Sequence, residues 1–332
     1  MKRQTTVIIT AFLLLLSACM PEEGREPGKK AGATVSFTAT ADTPETKAAS
    51  SSPLENNANV TVHAWTAALS AGAGVPVLSN NYTVDNSEAT DVLKEKDAPM
   101  KVQTGVDYYF YALSTNSATA AVPALNGGSR TGTLKNGVDY LMATATGKVG
   151  ESGEGNVTVP LSFRHLATQV TLVVTPASAD GYIASDGLSV SIADTDPAGS
   201  YIDLSAGTGS PALVINGTPG DLPDDQTATA AKNGTQFTVS FIILPVKAST
   251  RGIPLKLDFT NLSFETGKVM GSKSYTASIL PNTGETSLTL EGGYSYRYEV
   301  KIARYSATFG VPEVEPWEMY GVDMDKIELD PQ

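Results

Sequence analysis

The chain has a single cysteine, Cys19, among 332 residues, so no intrachain disulfide can form. Only two histidines are present, His63 and His165. A zinc site draws three or four ligands from His, Cys and carboxylates at characteristic spacings, and no such spacing occurs. Charged residues are scarce at 17% and lean acidic, with 35 Asp and Glu against 23 Lys and Arg. Nucleic acid selects stripes of Lys and Arg, so a net charge of −12 argues against that class of partner. Also lacking is a run of about 20 apolar residues, the length that spans a bilayer as a helix. No segment carries the apolar spacing of three and four that marks a long amphipathic helix. No Gly-x-Ser-x-Gly elbow precedes a helix, and no glycine-rich phosphate loop follows a strand. Asp194-Thr195-Asp196 lacks the further oxygens and terminal Glu of a calcium loop. Asp323-Met324-Asp325 is a second Asp-x-Asp pair of the kind that can bind calcium, and Asp221 to Asp225 reads as an acidic loop. These absences point to a protein without cofactor or metal, and not to an enzyme.

What is present begins with an export signal. Met1, Lys2 and Arg3 form a basic start, Val7 to Leu16 is an apolar run, and Leu16-Ser17-Ala18-Cys19 follows. A basic start, an apolar middle and small residues before a cut describe a secretory signal. A Cys after Leu-Ser-Ala resembles the bacterial lipobox, in which the thiol is acylated and becomes the first residue. Residues 1–18 are thus expected to be removed and Cys19 to be lipidated. Loss of Lys2 and Arg3 makes the mature chain more acidic still. Each buried methylene of an acyl chain contributes about 0.8 kcal/mol, so several chains hold a protein firmly to a membrane. Glu22-Glu23 after the lipid site is similar to the surface-export signal of Bacteroidales lipoproteins, which implies an exposed outer-membrane lipoprotein.

Residues 19–32 read as a tether rich in Glu, Gly, Pro and Lys. Over Ala33 to Ala41, Val35, Phe37, Ala39 and Ala41 face one way while Ser36, Thr38 and Thr40 face the other. This is the period of a half-buried strand. A second polar stretch, Asp42 to Asn59, separates it from the rest. Short alternating runs then follow one another, Val60 to Trp65, Val157 to Phe163, Val170 to Val174, Leu188 to Ile192, Phe237 to Ile243 and Leu255 to Phe259, with an aromatic and apolar run at Tyr108 to Leu113. Pro160 marks an edge or a bulge. Gly292-Gly293, between Leu288-Leu290 and Tyr294-Ile302, predicts a hairpin. Many short strands with turn signals predict an all-β chain of two antiparallel sandwiches, with domains at 33–160 and 161–332.

Three stretches together resemble the fimbrillin family of Bacteroidales, the type V pilus subunits. They are the lipobox, tether and Ala33 to Ala41 leading to Thr46-Lys47-Ala48; Val138 to Ala143 leading to Pro160 to Leu172; and Tyr294 to Val300 with Pro316-Trp317. The resemblance implies two tandem transthyretin-like β-sandwich domains. It also implies assembly into a fimbria by strand exchange, after a surface protease removes the first strand. The groove-filling residues would be Val35, Phe37, Ala39 and Ala41, and the cut would fall between Lys47 and Ala48, a Lys where the family's best-known members carry Arg. Implied partners are other fimbrial subunits, with adhesion as the outcome. Residues 318–332 are either a donor strand or a strand closing their own domain.

Tyr294, Tyr296, Tyr298, Trp65 and Trp317 raise a different reading, a surface lipoprotein binding glycans on exposed aromatics. The tyrosines share one face with Val300 and Ile302, which favours a core role. Both histidines read as hydrogen-bonded structural residues.

Overall fold

Alternation of β-branched, aromatic and small polar residues gives strands throughout. The computed structural model describes residues 32–41, 54–70, 74–87, 91–148, 156–193, 199–205, 212–215, 226–281 and 284–317. Its elements are all strands. Among the described residues no helix is long and apolar enough to cross a membrane. Cys19, Lys47, Ala48, Asp194-Asp196 and 318–332 lie outside the described residues.

The N-terminal unit consists of β1 (Gly32–Ala41), β2 (Asn59–Trp65), β3 (Leu78–Asp85), β4 (Asp91–Glu95), β5 (Met100–Gln103), β6 (Asp107–Ser114), β7 (Leu141–Lys148) and β8 (Asn156–His165). The strand order is β4-β3-β2-β6-β7-β8-β1-β5, and β4 also pairs with β1. Seven strands therefore close on themselves, with β5 attached to β1. This closed sheet departs from the expected open antiparallel sandwich. The reason is β1, which lies parallel to β8 along one edge and antiparallel to β4 and β5 along the other. The β7–β8 join is short, with Leu141 and Met142 opposite His165 and Arg164. Pro160 sits on β8 where β1 is its one described neighbour, a position that tolerates a missing ladder donor. Inside lie Val35, Phe37, Val62, Tyr82, Phe110, Leu161 and Phe163.

β8 runs to His165, and Leu166-Ala167 leads into the strands of the second unit. That unit holds β9 (Thr168–Pro176), β10 (Gly187–Ile192), β11 (Tyr201–Asp203), β12 (Ala212–Val214), β13 (Gln226–Thr229), β14 (Ala231–Asn233), β15 (Gln236–Ile243), β16 (Val246–Ser249), β17 (Ile253–Thr260), β18 (Lys273–Ile279), β19 (Leu288–Leu290), β20 (Tyr294–Ile302), β21 (Ala307–Phe309) and β22 (Glu313–Pro316). Two sheets, β13-β10-β17-β18 and β14-β15-β9-β20-β21 with β22 also on β20, enclose an aliphatic and aromatic core. Phe237 and Phe259 meet edge to face at 5.9 Å, a favourable aromatic geometry. Here too one pair, β9 with β20, is parallel.

The expected hairpin at Gly292-Gly293 does not form. β19 pairs with β16 and β20 with β9, so the two glycines turn a corner between sheets. A Cβ on Gly292 would lie 2.2 Å from the Leu166 carbonyl oxygen. Gly293 adopts φ 81° and donates its amide to the Ala167 carbonyl at 2.8 Å. The pair is needed for close backbone approach and a left-handed turn, not for a two-residue hairpin.

A third apolar cluster joins the units. Trp65, Leu113, Leu134, Tyr140 and Met142, on the outer face of the N-terminal sheet and its following loop, pack with Leu166, Ile202, Leu204 and Leu244. Asp203 seals the same junction. Its carboxylate accepts from Ser129 Oγ at 3.2 Å, Arg130 Nε at 3.0 Å, the Ser205 amide at 3.0 Å and Ser205 Oγ at 2.6 Å. Burial pushes this carboxyl up, but the hydrogen bonds from Ser205, Arg130 and Ser129 outweigh it and hold it below the ordinary range. Arg130 is largely exposed, so its ion pair contributes little. The buried hydroxyl and amide bonds carry the effect. Asp203→Ala is expected to cost about 1–3 kcal/mol and to split thermal unfolding into two calorimetric transitions. A single transition at unchanged temperature would count against this role.

Candidate functional site

The site follows from how β1 is held. Its register with β8 runs from Thr34 opposite Asn156 to Ala41 opposite Phe163. Along the other edge Gly32 to Val35 face Gln103 to Met100 of β5, and Phe37 to Ala39 face Leu93 to Asp91 of β4. A strand at the chain's N-terminal side therefore occupies a central position, filling a slot between β8 and the β4–β5 edge.

The inward row is buried as the alternation predicts. Val35, Phe37 and Ala39 are all at 0% exposure and Ala33 is nearly so. Ala41 belongs to β1, but its side chain lies outside the described residues. Phe37 is the anchor. Its ring meets Tyr82 edge-on at 5.5 Å and Phe110 at 5.3 Å. Tyr82 is fully buried there, and desolvation raises its phenol to about 12. Thr34, Ser36 and Thr38 point outward and are half-buried.

The mouth of the slot is marked by Asp91, a residue the pattern alone gave no reason to single out. Asp91 pairs with Ala39 and its Oδ2 accepts the Leu54 amide at 2.9 Å. Burial lifts its carboxyl above the ordinary value, and the Leu54 hydrogen bond pulls the other way. Asp91 thus meets both Ala39, two residues before the end of β1, and Leu54, the first described residue after the 42–53 connection that contains Lys47 and Ala48. The strands β4 and β5 were equally hidden in the sequence. β4 has one inward apolar residue, Leu93, beside the inward Asp91, and β5 has two, Met100 and Val102, too few for alternation to register.

The other candidates prove structural. His63 is buried on β2, its Nδ1 2.8 Å from Ser79 Oγ, its Nε2 without a partner. His165 stands at the domain junction with Nδ1 2.7 Å from Asp139 Oδ1, stacked on Trp317 at 4.1 Å and 14°. Among the described residues no group of three or more His, Cys, Asp or Glu gathers as metal ligands. Trp65, Trp317, Tyr296 and Tyr298 are buried, and only Tyr294 reaches 37% exposure. These five aromatics form no exposed platform.

Two expectations follow. Phe37→Ala should cost about 3–5 kcal/mol in denaturant unfolding, against less than about 1 for the outward Thr38→Ala; equal costs would deny the anchor. Desolvation lowers the pKa of His63 from 6.5 to about 4. Between those values the unfolded chain binds a proton that the folded chain refuses, so stability falls as pH drops from about 6.5 to 4, by about 3 kcal/mol in all. His63→Gln should flatten that part of the stability–pH curve, and an unchanged slope would show that the loss arises elsewhere.

Comparison with known proteins agrees with this architecture. A candidate cell adhesion protein from Bacteroides ovatus superimposes with a TM-score of 0.54 at 15% identity, covering 87% of this chain and 98% of the other. One from Bacteroides uniformis gives 0.53 at 16%, covering 86% and 98%. One from Bacteroides fragilis gives 0.51 at 16%, covering 87% and 100%. At such identities the likeness concerns the fold. No curated protein sequence matches the chain. The profile described as fimbrillin-like matches residues 46–317, the whole described structure beyond β1. The chain belongs to the fimbrillin-like family.

Proposed function

We propose that the protein is a structural subunit of a cell-surface fimbria, exported as an outer-membrane lipoprotein on Cys19 and polymerised by exchange of β1 for a strand of another subunit. The single observation that carries this reading is the placement of β1. It completes a closed sheet, is paired along both edges, and connects onward only through residues 42–53, with Asp91 opposite Ala39 and bonded to the Leu54 amide. The family match begins at residue 46, past β1, as expected if the family shares a unit to which β1 is an addition. The cell adhesion proteins with which the chain superimposes support a role in attachment.

The physics of the exchange is direct. Removal of β1 leaves β8 and β4 with unpaired backbone groups and an apolar trough lined by Tyr82, Phe110 and Leu161. Such an edge recruits an extended segment from another chain. Burial of Val35 and Phe37 contributes roughly 1.5–3 kcal/mol each, and each ladder hydrogen bond about 1 kcal/mol. An emptied slot therefore has a strong drive to be refilled. A cut between Lys47 and Ala48 by a surface protease frees β1 without touching any described strand. Each unit is read as a variant of the transthyretin-like sandwich, the N-terminal one closed at its seam by β1. Other fimbrial subunits are then the partners, as homopolymer or heteropolymer.

N-terminal sequencing of protein recovered from the cell surface as polymer should find Ala48 first, and Lys47→Gln should accumulate as monomer. Polymer whose subunits all begin at Cys19 would overturn the proposal.

A further inference from the structure

Among the described residues every other strand of the N-terminal unit pairs with at least two neighbours; β5 pairs with one, and that one is β1. The closed sheet does not need β5, because β4 meets β1 directly at Phe37 to Ala39. Yet Met100 and Val102 are buried, opposite Val35 and Ala33. The four residues of β5 thus owe their ladder to whatever fills the slot, and an unpartnered strand of this length has no independent stability.

Both ends of β5 are tethered elsewhere. The Lys96 amide donates to the Asn81 carbonyl at 3.0 Å and Asn80 Nδ2 to the Ala98 carbonyl at 2.7 Å, fixing the N-terminal side to β3. On the other side the Gln103 amide donates to the Tyr108 hydroxyl at 3.1 Å, and Gly105 turns into β6 with φ 70°. Between these fixed points lies a short strap across the first half of β1.

We infer that β5 is a conditional strap: it lets go of the sheet when β1 leaves and closes over the strand that replaces it. The inference rests on the strand-exchange reading and adds its mechanism of entry. A slot bounded by two continuous edges must be threaded end-on. With the strap open, the half of the slot that holds Ala33 and Val35 has one edge, β8, and accepts a strand from the side. Entry there precedes docking of the aromatic anchor beside β4. Closure then seals the occupant with Met100 and Val102. The fitting partner is an extended segment with small or β-branched apolar residues at the positions of Ala33 and Val35 and no proline at residues that pair with β5.

The test is hydrogen exchange by mass spectrometry on the full chain, before and after cutting at Lys47, and after adding a synthetic peptide of residues 32–41. When β1 dissociates, exchange over 100–103 should accelerate roughly a hundredfold or more while 60–65 and 108–113 stay protected. The peptide should restore the protection. Continued protection of 100–103 with β1 gone overturns the strap. If cutting does not release β1, the exchange reading fails instead, and the strap is decided in the uncut chain by Val35→Ala. That variant should speed exchange over 100–103 about tenfold and leave 91–95 unchanged; an equal effect on both segments, or none, overturns it.

Discussion

The N-terminal unit depends on one strand being paired along both edges. Among the described residues, without β1, β8 keeps only its short join to β7, β4 keeps only β3, and β5 keeps no strand partner. The cost is large on the scale that matters. Val35 and Phe37 together account for roughly 3–6 kcal/mol of burial, while whole domains are stable by only about 5–15 kcal/mol. The unit therefore cannot be indifferent to whether the slot is filled. It needs a strand there, though nothing in the backbone pairing requires that the strand come from its own chain.

In the second unit β9 is likewise paired along both edges, lying between β15 and β20, and is continuous with described chain through Leu166-Ala167. Its two sheets enclose their own core, and the strand at its C-terminal side, β22, lies on β20, at the edge of the sheet. The two units are nonetheless one assembly. The outer face of β2, β6 and β7 is covered by the third cluster, and Asp203 ties the loop at Ser129 and Arg130 to β11. Trp317 adds a further tie, since it stacks on His165 at the end of β8 and donates its amide to Gly293 at 2.8 Å. The last described residue of the chain is thus fixed at the junction toward which β1 and β8 both run.

Alternation made the long strands legible. The inward row of β1, the runs over β8, β9, β15 and β17, and the burial of Tyr296 and Tyr298 follow directly from a period of two. What alternation cannot carry is which strands meet. Gly292-Gly293 has hairpin composition, but its glycines serve a close approach to Leu166, a tertiary demand with no local signature. The parallel pairing of β1 with β8 joins residues more than a hundred positions apart, and closure of the sheet through β4 was equally hidden. Asp91 was invisible because a lone Asp before a short strand has the same sequence appearance whether it is solvated or accepts a buried amide. His165 and Trp317 stand far apart in the sequence; only the fold makes them neighbours.

The same geometry explains why a covalent cut, and not affinity alone, would govern exchange. While residues 42–53 are intact, β1 competes for the slot as an intramolecular ligand, at an effective concentration in the millimolar range for short connections. A strand from another chain at ordinary concentrations loses that competition even with equal contacts. Once the connection is severed, β1 belongs to a separate fragment that ends at Lys47 and is held by its contacts alone, and the advantage passes to any strand delivered repeatedly or from a tethered neighbour. The contacts of Phe37 with Tyr82 and Phe110 set how slowly the first strand leaves. The covalent link through residues 42–53 sets whether it can leave at all.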